Sequence, residues 1–494
     1  MASNRCIECE EIQLARVSDA RPVQHLPLLT RRKALAAGLA GVAAVYGPRA
    51  LRFDEVFDAV AEASMAPTNN CLVVLYLAGG NDGLNTLVPQ ATADFNSYTT
   101  KRPALARIKG PNASGKIGSQ PVAGAAGAEL GWANVGVTTG GGGSNGDSTY
   151  GFDTLYGDGS GGAGSDLAIL PAVDYMPPNL SHFASADHWF NGSLSGLTTG
   201  WLGRWIDRNG SASNPLQAVS IDSALSKAIR TAVNPVCAIQ TLSGLGFTLH
   251  PSGGYGTDTL GGTTVATGAT TADVKTLGQI AGAGNPHLLR ARSSFAQGAD
   301  VYATGSTLAA APLGSGVSYP SNSTNTNDLS YKLKVAALLL GANVGTRIVT
   351  VHWGSFDTHG NQLLGQDPQL SELSRALGAF KADLAARGVE DKVTTLVFSE
   401  FGRRVAQNGS GTDHGAGGLM MLSGSQIRGG YAAPFPGCQS ANLDTYGNLL
   451  VPTDFRSVYQ AVIDEWLGDD PDMILPGGPF PALSRPDGQP ALFA

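Results

Sequence analysis

Five short apolar segments without strict alternation constrain the fold of this chain more than any other feature. Strands that bury one face alternate apolar and polar residues, whereas strands covered on both faces read as continuous apolar runs. Such runs are typical of a parallel sheet with helices on both sides. The five predicted strands are residues 71–80 (CLVVLYLAGG), 166–172 (DLAILPA), 346–353 (TRIVTVHW), 392–400 (KVTTLVFSE) and 418–424 (GLMMLSG).

Three segments between or after these strands repeat apolar residues at helical spacing. They are 329–342 (Leu329, Leu333, Ala336, Leu340), 369–388 (Leu370, Leu373, Leu377, Phe380, Leu384, then Gly388) and 454–468 (Phe455, Val458, Val462, Trp466, with Asp454 as N-cap). Strands alternating with amphipathic helices predict an α/β fold, a three-layer α/β/α sandwich with a mostly parallel sheet.

Composition sets the organisation around that core. The chain has 494 residues, of which 66 are glycine and only 14% are charged. Stretches rich in Gly, Ser and Thr cover 140–164, 252–275 and 303–327, and they predict surface insertions with too few apolar residues to order themselves. We therefore expect one domain over 67–494, with low-complexity insertions near 104–165 and 250–327. A net charge of −7 argues against a nucleic-acid partner.

The first 66 residues are interpreted as a twin-arginine signal and leader. Arg31 and Arg32 precede an uncharged run of small apolar residues over 34–46. The alternative is a cytosolic amphipathic helix with a chance arginine pair, although the run has no charged face. The signal implies recognition by the twin-arginine export machinery, and a periplasmic or extracellular location. No apolar run reaches the 18 residues needed to span a bilayer, so no stable membrane span is expected after processing.

The five cysteines give little further evidence about fold or function. Cys6 and Cys9 form a C-x-x-C in the leader without a second pair nearby, which is weak evidence for metal or redox chemistry. Cys71, Cys237 and Cys438 allow one disulfide but not a disulfide scaffold.

Acidic residues and histidines follow three of the predicted strands, and Asp413 and His414 come just before a fourth, the strand at 418–424. In doubly wound sheets ligands bind beyond the carboxyl ends of the strands. The candidates there are Asp82, Asp357, His359, Glu400, Asp413 and His414. Because crowded carboxylates repel unless a cation neutralises them, the pattern predicts a divalent-metal site (Zn, Mn, Mg or Ca). Taken singly, Asp82 can be a turn residue, Asp357 a helix cap and Asp413 an Asx-turn residue.

A candidate nucleophile lies in PPNLSHFASADHWFNGS (177–193). Ser181 follows two prolines at a predicted helix start, where exposed backbone N–H groups suit a phosphate or sulfate ester. The alternative is that Ser181 is only an N-cap. His182, Asp187 and His188 make the segment rich in polar chemistry.

These motifs resemble a known family. LVVLYLAGGNDGLNTLVP, SHFASADHW, TGWLGRWID, GSFDTHGNQ and FSEFGRRVAQNGSGTDHGAGGLMMLSG together resemble the bacterial exported family called domain of unknown function 1501, over about residues 71–467. That family is grouped with the alkaline phosphatase and sulfatase-like superfamily. The resemblance implies an alkaline phosphatase-like sandwich and metal-dependent cleavage of phosphate or sulfate monoesters by a Ser, Thr or formylglycine nucleophile.

The same resemblance suggests roles for individual residues. Asp82, the pair Asp357 and His359, Glu400 and His414 match metal-ligand positions, whereas Phe401 stands where the superfamily has a metal-binding His. Arg403 and Arg404 match positions that could contact an anionic ester, with a solvated pair as the alternative.

The sequence thus predicts an exported, metal-dependent hydrolase-like protein that acts on phosphate or sulfate esters. Ser181, His182 and Arg403 are the candidate catalytic residues. The alternative is a non-catalytic exported binding or assembly module that retains the fold. A redox enzyme would fit the export route, but the chain has no cofactor motif for it.

Overall fold

A computed structural model of the chain describes residues 70–122, 129–138, 150–157, 165–211, 214–240, 312–322, 324–342, 345–486, 488 and 492–493, and the backbone of 44–46, 258–260 and 263–265. The predicted leader apart from 44–46, the pair Cys6 and Cys9, and most of the glycine-rich stretches lie outside the described residues.

The strands confirm all five predicted segments and add shorter ones. In chain order they are β1 Ala44–Tyr46, β2 Cys71–Leu77, β3 Leu87–Pro89, β4 Ile108–Lys109, β5 Gly118–Pro121, β6 Leu130–Ala133, β7 Leu167–Asp174, β8 Ala218–Ser220, β9 Val236–Ala238, β10 Asp258–Leu260, β11 Thr263–Val265, β12 Ile348–Trp353, β13 Val393–Phe398, β14 Gly402–Arg403, β15 His414–Gly415, β16 Gly418–Ser423, β17 Gly430–Tyr431 and β18 Thr453–Asp454.

The main sheet has the order β1-β9-β8-β12-β2-β13-β16-β7-β17, with β18 also paired to β7. The strands β9, β8, β12, β2 and β13 are parallel to one another. Strand β16 is antiparallel to both β13 and β7, and β1 is antiparallel to β9. The sheet is therefore mixed, because a continuous apolar run reports burial on two faces and not strand direction.

The α-helices of the described residues are α1 Gly83–Thr86, α2 Thr92–Lys101, α3 Phe152–Tyr156, α4 His182–Asn191, α5 Trp201–Asn209, α6 Leu329–Gly341, α7 Gln362–Ala386 and α8 Phe455–Ala461. Helix α7 begins seven residues before its predicted start, and it contains Pro368. Asp454 caps α8 as predicted, and the chain continues as a π-helix over Val462–Leu467.

Helices cover both faces of the sheet. Val73, Leu75 and Leu77 of β2 pack in a core with α3, α6 and α7. Leu72, Val74 and Tyr76 of the same strand pack on the other side with α4, α5 and α8. Since successive strand residues point to opposite faces, this division confirms three layers, α/β/α.

The described part of the 104–165 stretch contains ordered structure that the sequence did not predict. Strands β4, β5 and β6 of this stretch join β3, which precedes it, in a second sheet of order β3-β6-β5-β4, and α3 follows. Trp132 of β6 is buried and stacks on Phe152 of α3 at a centroid distance of 5.0 Å.

Cys71, Cys237 and Cys438 form no disulfide with one another, so the pairing that the sequence allowed is absent among these three described residues. No helix within the described ranges is both long enough and apolar enough to cross a bilayer.

Candidate metal-binding site

The site lies at one edge of the sheet, where three neighbouring strands end. The parallel order β12-β2-β13 brings the segments that follow these strands together. Strand β12 leads into Asp357 and His359, and β13 leads into Glu400. The short ribbon β14–β15 pairs Arg403 with His414 and so places His414 at the same edge. The N-terminus of α4 adds His182.

The carboxylate of Asp357 is the centre of this arrangement. Its Oδ1 lies 3.0 Å from Nε2 of His414 and 3.1 Å from Nε2 of His359. Its Oδ2 lies 3.4 Å from Nε2 of His182. These four residues, named here the His/Asp cluster, come from three separate segments of the chain.

The charge of Asp357 is fixed by its neighbours. Partial burial raises the pKa of this carboxyl, but hydrogen bonds from Arg403 and His414 and the positive charge of Arg403 outweigh burial, and they hold the pKa well below its usual range. Asp357 is therefore ionised at any physiological pH, as a metal-binding carboxylate must be.

Two of the histidines have one ring nitrogen committed to an acceptor. Nδ1 of His182 lies 2.7 Å from Oε1 of Glu400, and Nδ1 of His414 lies 2.8 Å from the carbonyl oxygen of Leu180. A carboxylate or carbonyl oxygen can only accept, so we assign the proton to Nδ1 in both rings. With that proton on Nδ1, each Nε2 faces the Asp357 carboxylate either as a protonated donor, as in the hydrogen bond from His414 above, or as a lone pair that a metal ion shares.

The donor set of the cluster fits a divalent ion. The ligand atoms of His182, Asp357 and His414 all lie within 4.8 Å of one another. Two ligands of a tetrahedral ion at 2.0–2.1 Å are about 3.3 Å apart, close to the contacts above. Nε2 of His359 is 3.0 Å from Nε2 of His414, and two nitrogen lone pairs at this distance repel unless a proton or a cation lies between them.

Asp413 lies behind His359 in the same way. Its Oδ1 is 3.4 Å from Nδ1 of His359, and it also accepts a hydrogen bond from the side chain of Asn408. Asp413, which the sequence predicted as a metal ligand, lies on the Nδ1 side of the His359 ring, whereas the Nε2 of that ring faces Asp357.

Glu400 is more deeply buried than the residues of the His/Asp cluster. Its side chain is 1% exposed, and its two carboxylate oxygens accept from the backbone N–H of Gly79 at 2.9 and 3.1 Å. Burial and the negative charge of Glu400 raise the pKa of Tyr76. The structure thus places Glu400, predicted as a ligand, as the partner that orients His182.

Asp82 does not join the cluster. Its Oδ2 lies 2.5 Å from Nη1 of the fully buried Arg102 and 2.5 Å from Nε2 of Gln362. Its Oδ1 accepts from Nη2 of Arg102 and caps α1 through the N–H of Leu84. These contacts use both oxygens, so we correct the metal-ligand prediction for Asp82 to a structural role.

Arg403 is also structural. Its side chain is fully buried, and it donates to the carbonyl oxygens of Gly79, Gly80, Phe356 and Thr412 as well as to Asp357. Arg403 thus joins three loops of the site, and its complete burial keeps the guanidinium away from an ester at the surface. This corrects the prediction that it contacts an anionic ester.

Phe401 packs behind the histidines. Its ring centroid lies 4.9 Å from that of His182 and 4.3 Å from that of His414, and the side chain is buried. A Cβ at Gly80, whose φ is +80°, would come within 2.6 Å of this ring, so the close approach requires glycine. Phe401 therefore holds the two imidazoles from behind and cannot itself bind a metal.

Ser181 is the N-cap residue of α4, but its side chain makes no capping hydrogen bond and is exposed. Its two neighbours both belong to the site, since Leu180 accepts from His414 and His182 is a cluster residue. The role of His182 as a possible ligand was missed, because its partners Asp357 and Glu400 are remote in sequence. The only available signal was the polar character of the segment around Ser181.

Comparison with known proteins gives one family. Residues 315–434 match the sequence model of the family described as "Protein of unknown function (DUF1501)". This range includes Asp357, His359, Glu400, Asp413 and His414 but not Ser181 or His182. Searches of curated proteins and of solved structures found no match.

Proposed function

We propose that this protein is a divalent-metal-dependent hydrolase of phosphate or sulfate esters. The carrying observation is that Nε2 of His182 and Nε2 of His414, each freed by an acceptor on the opposite ring nitrogen, converge on the ionised carboxylate of Asp357. A set of imidazoles and one carboxylate favours Zn or Mn over Mg or Ca.

His182, Asp357 and His414 would hold the ion, with His359 as a fourth donor. A bound ion of this kind polarises the ester and lowers the pKa of a nearby nucleophile.

Ser181 is the proposed nucleophile. Its exposed hydroxyl lies between two residues that contact the cluster, at the N-terminus of a ten-residue helix whose first N–H groups favour an anion. Its Oγ would bond to the phosphorus or sulfur while the bond to the ester oxygen breaks, and the hydroxyl proton would pass to that oxygen, which departs as the alcohol. Water would then displace Oγ, release the inorganic anion and restore the hydroxyl. Export by the twin-arginine route to a periplasmic or extracellular location is part of the same proposal.

A non-catalytic metal-containing binding module is the second candidate. Two observations favour it: Phe401 occupies a position where the superfamily resembled by the motifs has a histidine, and the guanidinium of Arg403 is fully buried away from any anion.

Metal analysis and an ester panel separate these functions. We expect about one zinc or manganese ion per chain in wild type and its loss in Asp357→Ala. The matched control is Asp187→Ala, since Asp187 is equally exposed and pairs with Lys227 on the surface. Metal retention in Asp357→Ala would refute the site. Metal binding without cleavage of any phosphate or sulfate ester would favour the binding module.

A further inference from the structure

Two exposed apolar side chains lie on the helix starts that adjoin the His/Asp cluster in the chain. Among the described residues, the two most exposed large hydrophobic side chains are Phe183 at 86% and Leu364 at 79%. Single exposed apolar residues are common on protein surfaces. The position of these two distinguishes them, because each lies in the first turn of a helix that begins at the site.

Phe183 directly follows His182 in α4. Leu364 is the third residue of α7, which begins three residues after His359. The start of α7 is fixed to the loop before His414: the N–H of Gln362 donates to the carbonyl of Ser410 at 2.9 Å, and Thr412 Oγ1 donates to Gln362 Oε1 at 2.6 Å. The two apolar side chains, named here the apolar rim, thus belong to helix starts that are joined to cluster residues by short, hydrogen-bonded segments of backbone.

The cluster itself is open. The side chains of Asp357, His359 and His182 are 41%, 46% and 33% exposed, whereas that of His414 is 19% exposed. Sites for small ligands usually enclose most of the ligand, and this one does not. A ligand bound here must therefore gain contact area from the surface around the cluster, where the apolar rim lies.

We propose that the substrate is an ester with an apolar body, whose anionic group binds at the cluster and whose aryl or alkyl group lies against Phe183 and Leu364. Charge and polarity match along the whole ligand: a metal-binding centre faces the anion, and two uncovered apolar side chains face the hydrophobic part. This inference rests on the proposed function, since it assumes that the cluster receives the anionic group of an ester.

The test compares ligands that differ only in their apolar part. Binding of methylphosphonate and hexylphosphonate, and of the matching sulfonates, is measured by calorimetry on metal-loaded protein, and hydrolysis of methyl and hexyl phosphate and sulfate is measured in parallel. The variants are Phe183→Gln and Leu364→Gln, in which glutamine keeps helix propensity. The control is Met473→Gln, at a residue that is also exposed but on a turn that supplies no cluster residue.

We expect wild type to prefer the hexyl ligand, and each rim variant to weaken hexyl binding about fivefold, which corresponds to roughly 1 kcal/mol. Methyl binding and metal content should stay unchanged, and the control should match wild type. The inference would be overturned if the methyl and hexyl ligands bound equally well, or if neither ligand bound. Tighter hexyl binding that depends on the rim, without hydrolysis, would uphold the inference and reject catalysis.

Discussion

Nδ1 of His182 lies 2.7 Å from Oε1 of Glu400, a contact between a helix start and a strand end that are 218 residues apart. The buried carboxylate fixes the tautomer and the orientation of the ring. Glu400, which the sequence predicted as a metal ligand, thus orients the candidate ligand His182 through the opposite ring nitrogen.

The first prediction concerns the contact between Glu400 and His182. Glu400→Gln should keep an oxygen that accepts from His182 but remove the charge, so metal affinity should fall by about 10- to 100-fold. Titration calorimetry with zinc measures it. Glu465→Gln is the control, because Glu465 also accepts from two backbone N–H groups, those of Leu492 and Phe493. Complete loss of the metal at saturating zinc would instead indicate a direct ligand.

The second prediction concerns Ser181. Ser181→Ala should abolish ester hydrolysis while stability changes by less than the roughly 1 kcal/mol that an N-cap usually contributes, since the hydroxyl makes no capping bond. Urea unfolding and zinc content are measured beside activity. Asp454→Ala, which removes a side chain that does cap, should lose about 1 kcal/mol. Full activity in Ser181→Ala would exclude this nucleophile.

The third prediction concerns the buried pair of Asp82 and Arg102. Asp82→Asn should destabilise the protein by about 3–5 kcal/mol, because it leaves the Arg102 guanidinium buried without its counter-charge. The midpoint of urea unfolding measures this loss. At low temperature, where the variant is still folded, its zinc content should equal that of wild type. Loss of zinc with unchanged stability would instead indicate that Asp82 is a metal ligand.

The fourth prediction concerns pH. Burial raises the pKa of Asp174 to about 7, although the N–H groups of Tyr175 and Gly417 partly oppose this and Asp454 adds to it. Between the unfolded and folded pKa values the folded state holds a proton that the unfolded state has released, so this carboxyl favours folding at low pH and its contribution is lost as pH rises towards 7.

Asp174→Asn removes that dependence. Between pH 5 and pH 8 the unfolding free energy of wild type should therefore fall by about 2.5 kcal/mol relative to the variant. Urea unfolding at the two pH values gives the difference, and contributions from other groups cancel in the comparison. A constant difference between the two proteins would show that Asp174 titrates near its ordinary value.

Much of the core could be predicted from the sequence alone. Continuous apolar runs identified β2, β7, β12, β13 and β16, and helical spacing identified α6, α7 and α8, because burial imposes these patterns locally. Placing polar residues after the strands also located Asp357, His359 and His414 at one edge. Local pattern did not predict the second sheet, whose strands are only two to four residues long.

Tertiary structure decided the role of each polar residue. Asp82, Asp357 and Glu400 have the same place in the sequence pattern, just beyond a strand. They differ in their partners: Arg102 for Asp82, His182 for Glu400, and three histidines for Asp357. Sequence determined where carboxylates meet the sheet edge, since strand periodicity is local. Only the fold determined which carboxylate is neutralised, which supports a histidine and which faces the open site, because charge and burial depend on neighbours that are distant in the chain.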